Sequence, residues 1–150
     1  MTRVFVPCDM MAVALGADRV ARALAAAPGV EIVRTGSRGL QWLEPLVEVE
    51  TPAGRIAYGP VSPADVEPLL QAGLLTGAAH SLRIGRPEDL PYLARQQRLT
   101  FSRTGLIDPL SFDEYCAHGG LTGLKRALEI GAAATVEDVK KSGLRGRGGA

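Results

Sequence analysis

The chain has 150 residues, and its 17 Lys and Arg against 16 Asp and Glu give a formal net charge of +1. Apolar residues make up 46% and charged residues 22%, which excludes collagen, coiled-coil and disordered chains. The small net charge argues against a dedicated nucleic-acid-binding or membrane-surface protein.

The first 73 residues have the pattern of one small α/β unit. Strand patterns cover 3–6, 30–33, 46–50 and 55–58, and helix patterns cover 16–27 and 62–73. Ser62 and Pro63 suit the N-cap and the first position of the second helix. In 46–50, apolar and acidic residues alternate, which predicts one buried and one wet face. The order strand, helix, strand, strand, strand, helix matches a thioredoxin-like α/β layer.

Residues 74–100 are predicted to be a linker that carries some structure. Glycine and proline interrupt the segment repeatedly, at Gly77, Gly85, Pro87 and Pro91. A short helix is plausible over 87–97, and a short strand over 99–101.

The remaining fifty residues predict helices with clear boundaries. Ser111, followed three residues later by Glu114, fits a capping box at the start of one helix. A second helix is predicted over 121–129. A third begins with Thr135 as its cap and ends before Gly143, with two lysines in the last turn, where the helix dipole favours cations.

The chain ends in a run of glycines and arginines, and this run is the candidate ligand site. Close glycines let backbone N–H groups converge on a ligand, and arginine side chains suit phosphate. The predicted cofactor-binding residues are Arg145, Gly146, Arg147, Gly148, Gly149 and Ala150. The run is neither a Walker loop nor a dinucleotide fingerprint, since a helix precedes it. The alternative is a flexible basic tail that binds RNA weakly.

Other chemistry finds little support in the sequence. Cys8, Cys116, His80 and His118 have no spacing typical of a metal site, so no metal ligand is predicted. Cys8 is expected to pack as a small apolar residue, and Cys116 on a half-buried helix. No nucleophile elbow is present, so no catalytic residue is assigned.

The segment 101–150 resembles the FMN- and NADH-binding subunit family. The likeness rests on Arg103-Thr104-Gly105-Leu106-Ile107-Asp108-Pro109, on Gly119-Gly120, and on the run that leads from Val139 to Ala150. That family includes the NADH-oxidising subunit of respiratory complex I and the diaphorase subunits of NAD-linked formate dehydrogenases and NAD-reducing hydrogenases. The resemblance implies FMN and NAD as cofactors, bound in part by 145–150. It also implies iron–sulfur clusters in later segments and in partner subunits.

The front domain resembles the thioredoxin-like, two-iron ferredoxin domain that is fused ahead of this subunit in some diaphorases. The shared features include Thr35-Gly36 with Gly39, Glu44-Pro45-Leu46, and Tyr58-Gly59. In cluster-bearing relatives four cysteines hold the iron, and their expected places here are near Cys8 and at Ala12, Ser37 and Gln41. A two-iron cluster needs about four good ligands, so we expect a domain without its cluster.

The resemblance therefore predicts part of an NADH:acceptor subunit, most like the beta subunit of a cytoplasmic NAD-dependent formate dehydrogenase. The alternatives are a hydrogenase diaphorase subunit and a non-catalytic thioredoxin-like adaptor. Partners would be iron–sulfur subunits and NADH, with neither nucleic acid nor membrane. A glycine-rich end with no element after it predicts the front part of a longer subunit, and this part is expected to be inactive alone.

The apolar stretch 68–82 is too short and too polar to span a bilayer, which needs roughly 20 residues. No signal peptide fits before the first strand.

Overall fold

In the computed structural model, residues 1–146 and residue 148 are described. The chain forms two compact units, Met1–Phe112 and Asp113–Ala150. The boundary falls within the segment that resembles the flavin-binding family. The domain division predicted at 73 and 100 stays a prediction.

The first unit is built on a five-stranded mixed sheet. Its strands are β1 (Thr2–Pro7), β2 (Val30–Thr35), β3 (Val47–Thr51), β4 (Gly54–Tyr58) and β5 (Arg83–Gly85). The order across the sheet is β2-β1-β3-β4-β5, and only β1 and β2 run parallel. A right-handed crossover is the usual connection between such parallel neighbours, and helices fill it here. The predicted α/β class is confirmed.

Helices cover the first face of this sheet. They are α1 (Met10–Ala14), α2 (Ala17–Ala25) and α3 (Val66–Gln71). Val20 and Leu24 of α2 and Leu69 of α3 are almost fully buried in one cluster with the inward side chains of β1, β3 and β4. Each such side chain stabilises the fold by roughly 1.5–3 kcal/mol relative to exposure. The predicted cap of the second helix is confirmed, because Ser62 and Asp65 form a capping box in which the Ser62 amide donates to Asp65 Oδ2 at 2.8 Å.

A strap, defined here as residues 86–107, covers the second face of the sheet. It contains α4 (Pro91–Ala94). Its Leu90 and Leu93 pack against a second cluster formed by Leu40, Leu46 and Ala57. Ile107 at its far end is 7% exposed. Residues 86–100, within the segment predicted to be a linker that carries some structure, therefore contribute to a layer of the fold.

Two local predictions in this region are wrong, and one strand was missed. Residues 99–101 form a bend and turns instead of a strand, and the predicted helix over 87–97 is reduced to a 3-10 turn followed by the four residues of α4. β5 was not predicted because it is three residues long and pairs with β4 across an irregular register. Such a strand depends on its neighbour, and its own sequence carries little signal.

The second unit contains α5 (Phe112–Ala117, which begins one residue before the unit) and α6 (Thr122–Ser142). Helix α6 is broken at Gly131, whose φ of 82° and ψ of 169° are not helical. Gly123 and Ser142 line the same pocket of about 250 Å³, although a straight helix would place them about 28 Å apart. The two halves of α6 therefore fold towards each other.

The break also corrects the predicted start of the last helix. The helix over 121–129 is confirmed as the first half of α6. The second half begins after Gly131, and the hydroxyl of Thr135 bonds to the Gly131 carbonyl oxygen at 2.8 Å. Thr135 is thus an interior residue and not the predicted cap. Gly143 ends the helix, as predicted, and its backbone is in the left-handed conformation.

No helix among the residues described combines the length and the apolar character needed to cross a membrane.

Candidate functional site

The predicted ligand-binding run follows α6 directly. Arg145 and Gly146 are exposed and irregular, and Gly148 is an exposed bend. Arg147, Gly149 and Ala150 lie outside the described residues. The Leu144 amide donates to the Ser142 hydroxyl at 3.2 Å, so the chain turns immediately after the helix. Exposed glycine backbone next to arginine side chains can approach a phosphate closely. The assignment of 145–150 to a cofactor stays a prediction.

The places expected for cluster cysteines do not offer iron ligands. The Ala12 side chain is a methyl group buried in the core, and a methyl group has no donor atom. The Ser37 hydroxyl donates to Glu44 Oε1 at 2.6 Å, and Gln41 is exposed on a 3-10 turn. Across 1–146 and 148, no group of three or more His, Cys, Asp and Glu is placed to hold a metal ion. A two-iron cluster, which needs four ligands, does not fit these residues.

Carboxyl groups occupy this end of the sheet instead. Glu44 is 5% exposed, and it accepts the Ser37 hydroxyl and, at 2.9 Å, the Leu46 amide. Burial raises the pKa of Glu44 above its usual range, although both hydrogen bonds oppose the shift. Asp9 caps α1 through Oδ1, while its Oδ2 is buried and has no partner in the described part of the chain. We call Asp9 and Glu44, each of which accepts hydrogen bonds from neighbouring groups, the carboxyl pole.

Cys8 lies beside this pole and does not resemble a redox thiol. It is exposed at the end of β1, contrary to the expectation that it packs as an apolar residue. Partial burial of the thiol raises the pKa of Cys8, which disfavours the reactive thiolate. Cys116 on α5 is also exposed, while Glu114 and Tyr115 of the same helix are half-buried.

A buried charge network lies under the strap, on the second face of the sheet. Glu48 is 4% exposed, although its place in an alternating strand predicted a wet face. The Arg38 guanidinium donates to both carboxylate oxygens of Glu48, with Nη2 at 2.8 Å from Oε2. Arg55 Nη1 lies 3.5 Å from the same oxygen. This pattern is what a buried carboxylate requires, because an unpaired one would be very costly.

The network also fastens the strap to the sheet. Arg55 donates to the carbonyl oxygens of Gly105 and Leu106 at 3.0 and 2.6 Å. Its guanidinium carbon sits 3.3 Å from the ring centroid of Phe5, a cation–π contact. Burial lowers the pKa of Arg55, and the charge of Glu48 partly offsets the effect. Burial alone would lower the pKa of Arg38 too, but the hydrogen bond and charge of Glu48 hold it above its ordinary value.

Sequence reasoning missed this network. The available signal was a glutamate in a strand between two arginines, Arg38 in the preceding loop and Arg55 on the hairpin partner. Periodicity alone treats such a glutamate as a solvent-facing residue.

Comparisons with known proteins give one related sequence segment and a set of fold neighbours. Over 56 residues the chain is 48% identical to the NADP-reducing hydrogenase subunit HndC of Solidesulfovibrio fructosivorans, a stretch that is 37% of this chain and 11% of that protein. This chain thus spans a small part of the length of that relative. No protein-family model matches the present chain.

The fold neighbours are thioredoxin-like 2Fe-2S ferredoxins from Aquifex aeolicus. The wild-type protein gives a TM-score of 0.47 at 23% identity, covering 57% of this chain and 98% of the ferredoxin. A cysteine-to-serine variant gives 0.48 at 24% identity, covering 57% and 100%. At this level the likeness concerns the fold of the N-terminal part alone.

Proposed function

We propose that this chain is part of an oxidoreductase subunit that exchanges hydride between a nicotinamide nucleotide and FMN and passes the electrons to iron–sulfur clusters. The observation that carries the proposal is the 48% identity over 56 residues to a subunit of an NADP-reducing hydrogenase. A flavin is the usual carrier that converts a two-electron hydride into single electrons. The resemblance of 101–150 to the FMN- and NADH-binding family supports the same assignment.

In this proposal the residues after α6 form one side of the flavin cradle. Arg145 is exposed and makes no ion pair in the parts of the chain described, so its guanidinium is open to a phosphate. Gly146 and Gly148 have no side chain to keep the cofactor from the backbone, and no described atom lies within 4 Å of the Cβ position of either residue. Arg147, Gly149 and Ala150 belong to the same proposed cradle. Residues elsewhere in the complete subunit would carry the remaining contacts.

The front unit has a different role in this proposal. Its carboxyl pole does not provide cluster ligands, so we assign it no electron-transfer step of its own. A folded domain with two covered sheet faces suits a structural role, and we propose that it joins the iron–sulfur subunits of the complex. Electrons would then pass between the flavin and clusters outside this unit.

The donor at the far end of the complex decides between the two redox alternatives. Formate oxidation would make the chain part of a formate dehydrogenase beta subunit, and hydrogen oxidation would make it part of a hydrogenase diaphorase. The complex should be purified through a tag on the native gene and supplied with formate or hydrogen, each with NAD⁺ or NADP⁺. Reduction of the nucleotide with one donor only identifies the enzyme. A complex that lacks flavin and reduces neither nucleotide would contradict the proposal and favour the adaptor.

The flavin cradle has its own test in the same complex. Arg147→Ala should lower the FMN content per complex and the rate of NAD(P)H oxidation, because a phosphate contact is lost. Arg95→Ala is the matched control, since Arg95 is exposed on the strap, far along the chain from the cradle. Unchanged flavin content and rate in Arg147→Ala would remove this residue from the site.

A further inference from the structure

A cleft of about 340 Å³ is lined mainly by the strap. Its lining comes from the end of α4 and the residues after it and from residues 102–106. Leu93, Ala94 and Leu106 are apolar lining residues, and Arg38 and Glu88 are charged ones. Its volume is in the lower part of the range of about 300–1,000 Å³ that small-molecule sites occupy.

Arg98 lines this cleft together with Arg38, and two hydrogen bonds hold its side chain in place. Its Nη2 donates to the Arg38 carbonyl oxygen at 2.7 Å, and its Nε donates to Gln96 Oε1 at 2.8 Å. No acidic side chain pairs with Arg98 in the described chain. A guanidinium carries five N–H donors, so several of them remain for a ligand. Because the side chain is already ordered, a ligand would lose little affinity to its immobilisation.

Two hydroxyl groups add to the polar lining of the cleft. Ser102 and Thr104 both line it, and neither hydroxyl has a hydrogen-bond partner among residues 1–146 and 148. A hydroxyl can donate to an anion and accept from a neighbour. A lining that combines a guanidinium held by hydrogen bonds, two free hydroxyls and two leucines fits a molecule that has an anionic head and an apolar body.

Arg98 is the cation lining the cleft that has no carboxylate partner among the described residues. Arg38 and Arg55 both contact Glu48, and Arg38 also contacts Glu88, whereas Arg98 reaches this network only through the carbonyl oxygen of Arg38. Arg38 and Glu48 are both nearly buried. A partly buried cation without a counter-ion is costly. Glu88 is the more exposed carboxylate and reaches Arg38 at 3.3 Å, so it would compete with an incoming anion for that guanidinium.

We propose that this cleft binds a small organic anion, a carboxylate or a phosphate monoester, with its oxyanion at Arg98, Ser102 and Thr104. The apolar part of the ligand lies against Leu93 and Leu106. The site is within the first unit and does not involve residues 145–150. It is therefore a second site, independent of the proposed flavin cradle.

The test is a titration of the full 150-residue chain followed by ¹⁵N–¹H NMR. Butyrate and inorganic phosphate serve as probes for the two head groups, and sodium chloride at equal ionic strength is the blank. We expect saturable shifts of the Ser102 and Thr104 amides and of the Arg98 Nε–H signal, and the probe that saturates at the lower concentration identifies the head group. Shifts that stay linear, or that chloride reproduces, would overturn the proposal.

Three variants sharpen this test because their expected effects differ in sign. Arg98→Gln should weaken binding about tenfold or more, since charge-assisted hydrogen bonds are lost. Arg95→Gln, which changes an exposed arginine that does not line the cleft, should leave affinity within about twofold. Glu88→Gln should tighten binding about threefold or more by removing the competing carboxylate. Weaker binding in Glu88→Gln, or an equal loss in Arg95→Gln and Arg98→Gln, would contradict the assignment even if Arg98→Gln were to unfold.

Discussion

The two units of this chain hold their helices in different ways. In Met1–Phe112, α2 and α3 place almost fully buried side chains against the sheet. In Asp113–Ala150, α6 has no buried residue, and Leu124, Leu128, Val136 and Val139 are each more than half exposed. A helix in water depends mainly on packing of its apolar face. Helix-forming residues and the Gly143 cap therefore specify where α6 runs, whereas a core specifies how the first unit is assembled.

The largest expected effect tests the buried charges that fasten the strap of the first unit. Glu48→Ala would leave Arg38 and Arg55 without their shared carboxylate. Breaking a buried ion pair from one side costs about 3–5 kcal/mol, and we expect the free energy of unfolding to fall by that amount. Urea denaturation followed by far-ultraviolet circular dichroism measures it.

Glu50→Ala is the matched control for this substitution. Glu50 lies two residues further along β3 and is exposed, so its removal should change the free energy of unfolding by no more than about 0.5 kcal/mol. Equal effects of Glu48→Ala and Glu50→Ala would mean that the buried network does not stabilise the first unit.

The second prediction concerns the close approach of the strap to this network. A Cβ atom on Gly105 would lie 2.4 Å from Arg38 Cγ, and the residue has a φ of +82°. Gly105→Ala adds the cost of a left-handed backbone to the displacement of Arg38, so we expect a loss of about 2–4 kcal/mol. Gly39 has the same φ with no atom within 4 Å, and Gly39→Ala should lose only about 1–2 kcal/mol. Thermal unfolding of both variants gives the difference, and no difference would exclude the steric contact.

The same network shows what the sequence could and could not predict. The pattern in 46–50 correctly predicts a strand and places Glu48 and Glu50 on one face. It cannot show that the strap covers Glu48 and leaves Glu50 in water, because that depends on a segment about fifty residues away. Arg55 contacts Gly105 and Leu106 through their backbone oxygens, and a backbone contact leaves no residue-type signal.

Elements with strong local signals were predictable throughout the chain. The four longer strands and α2 follow from periodicity, and the cap of the second helix follows from Ser62 and Asp65, whose types fit that role. Local propensity failed where a glycine overrides it. Gly131 starts the second half of α6 four residues before Thr135, which a composition-based reading takes as the cap. The cofactor assignment of 145–150 came from resemblance and stays a prediction.

A third prediction uses pH to examine the carboxyl pole of the first unit. Burial raises the pKa of Glu44, so the folded state holds a proton that the unfolded state releases. The contribution to stability is present below the ordinary glutamate pKa of about 4.3 and is lost as pH rises through the higher folded pKa. Glu44→Gln should flatten this fall in the free energy of unfolding, measured by urea denaturation across the acid range.

Asp65 provides the contrasting case in the same unit. Its hydrogen bonds from Ser62 lower the pKa of Asp65, so its contribution is lost as pH falls below the ordinary aspartate pKa of about 3.9. The two windows do not overlap. A Glu44→Gln profile parallel to the wild-type profile above both ordinary values would show that Glu44 is not the group responsible.

The smallest effect on stability is expected in the second unit, where geometry is the informative readout. The φ of 82° and ψ of 169° at Gly131 are open to glycine and strained for alanine. Gly131→Ala should therefore remove the break and let α6 continue as one straight helix. In this variant, spin labels at exposed positions 125 and 140 would lie about 22 Å apart along the helix axis. Double electron–electron resonance should report a shorter distance between the same labels in the wild-type chain. Gly123→Ala, within the first half, should leave the distance unchanged. Two long and equal distances, in wild type and in Gly131→Ala, would refute the folded-back arrangement of α6. Two short and equal distances would show that Gly131 is not needed for it.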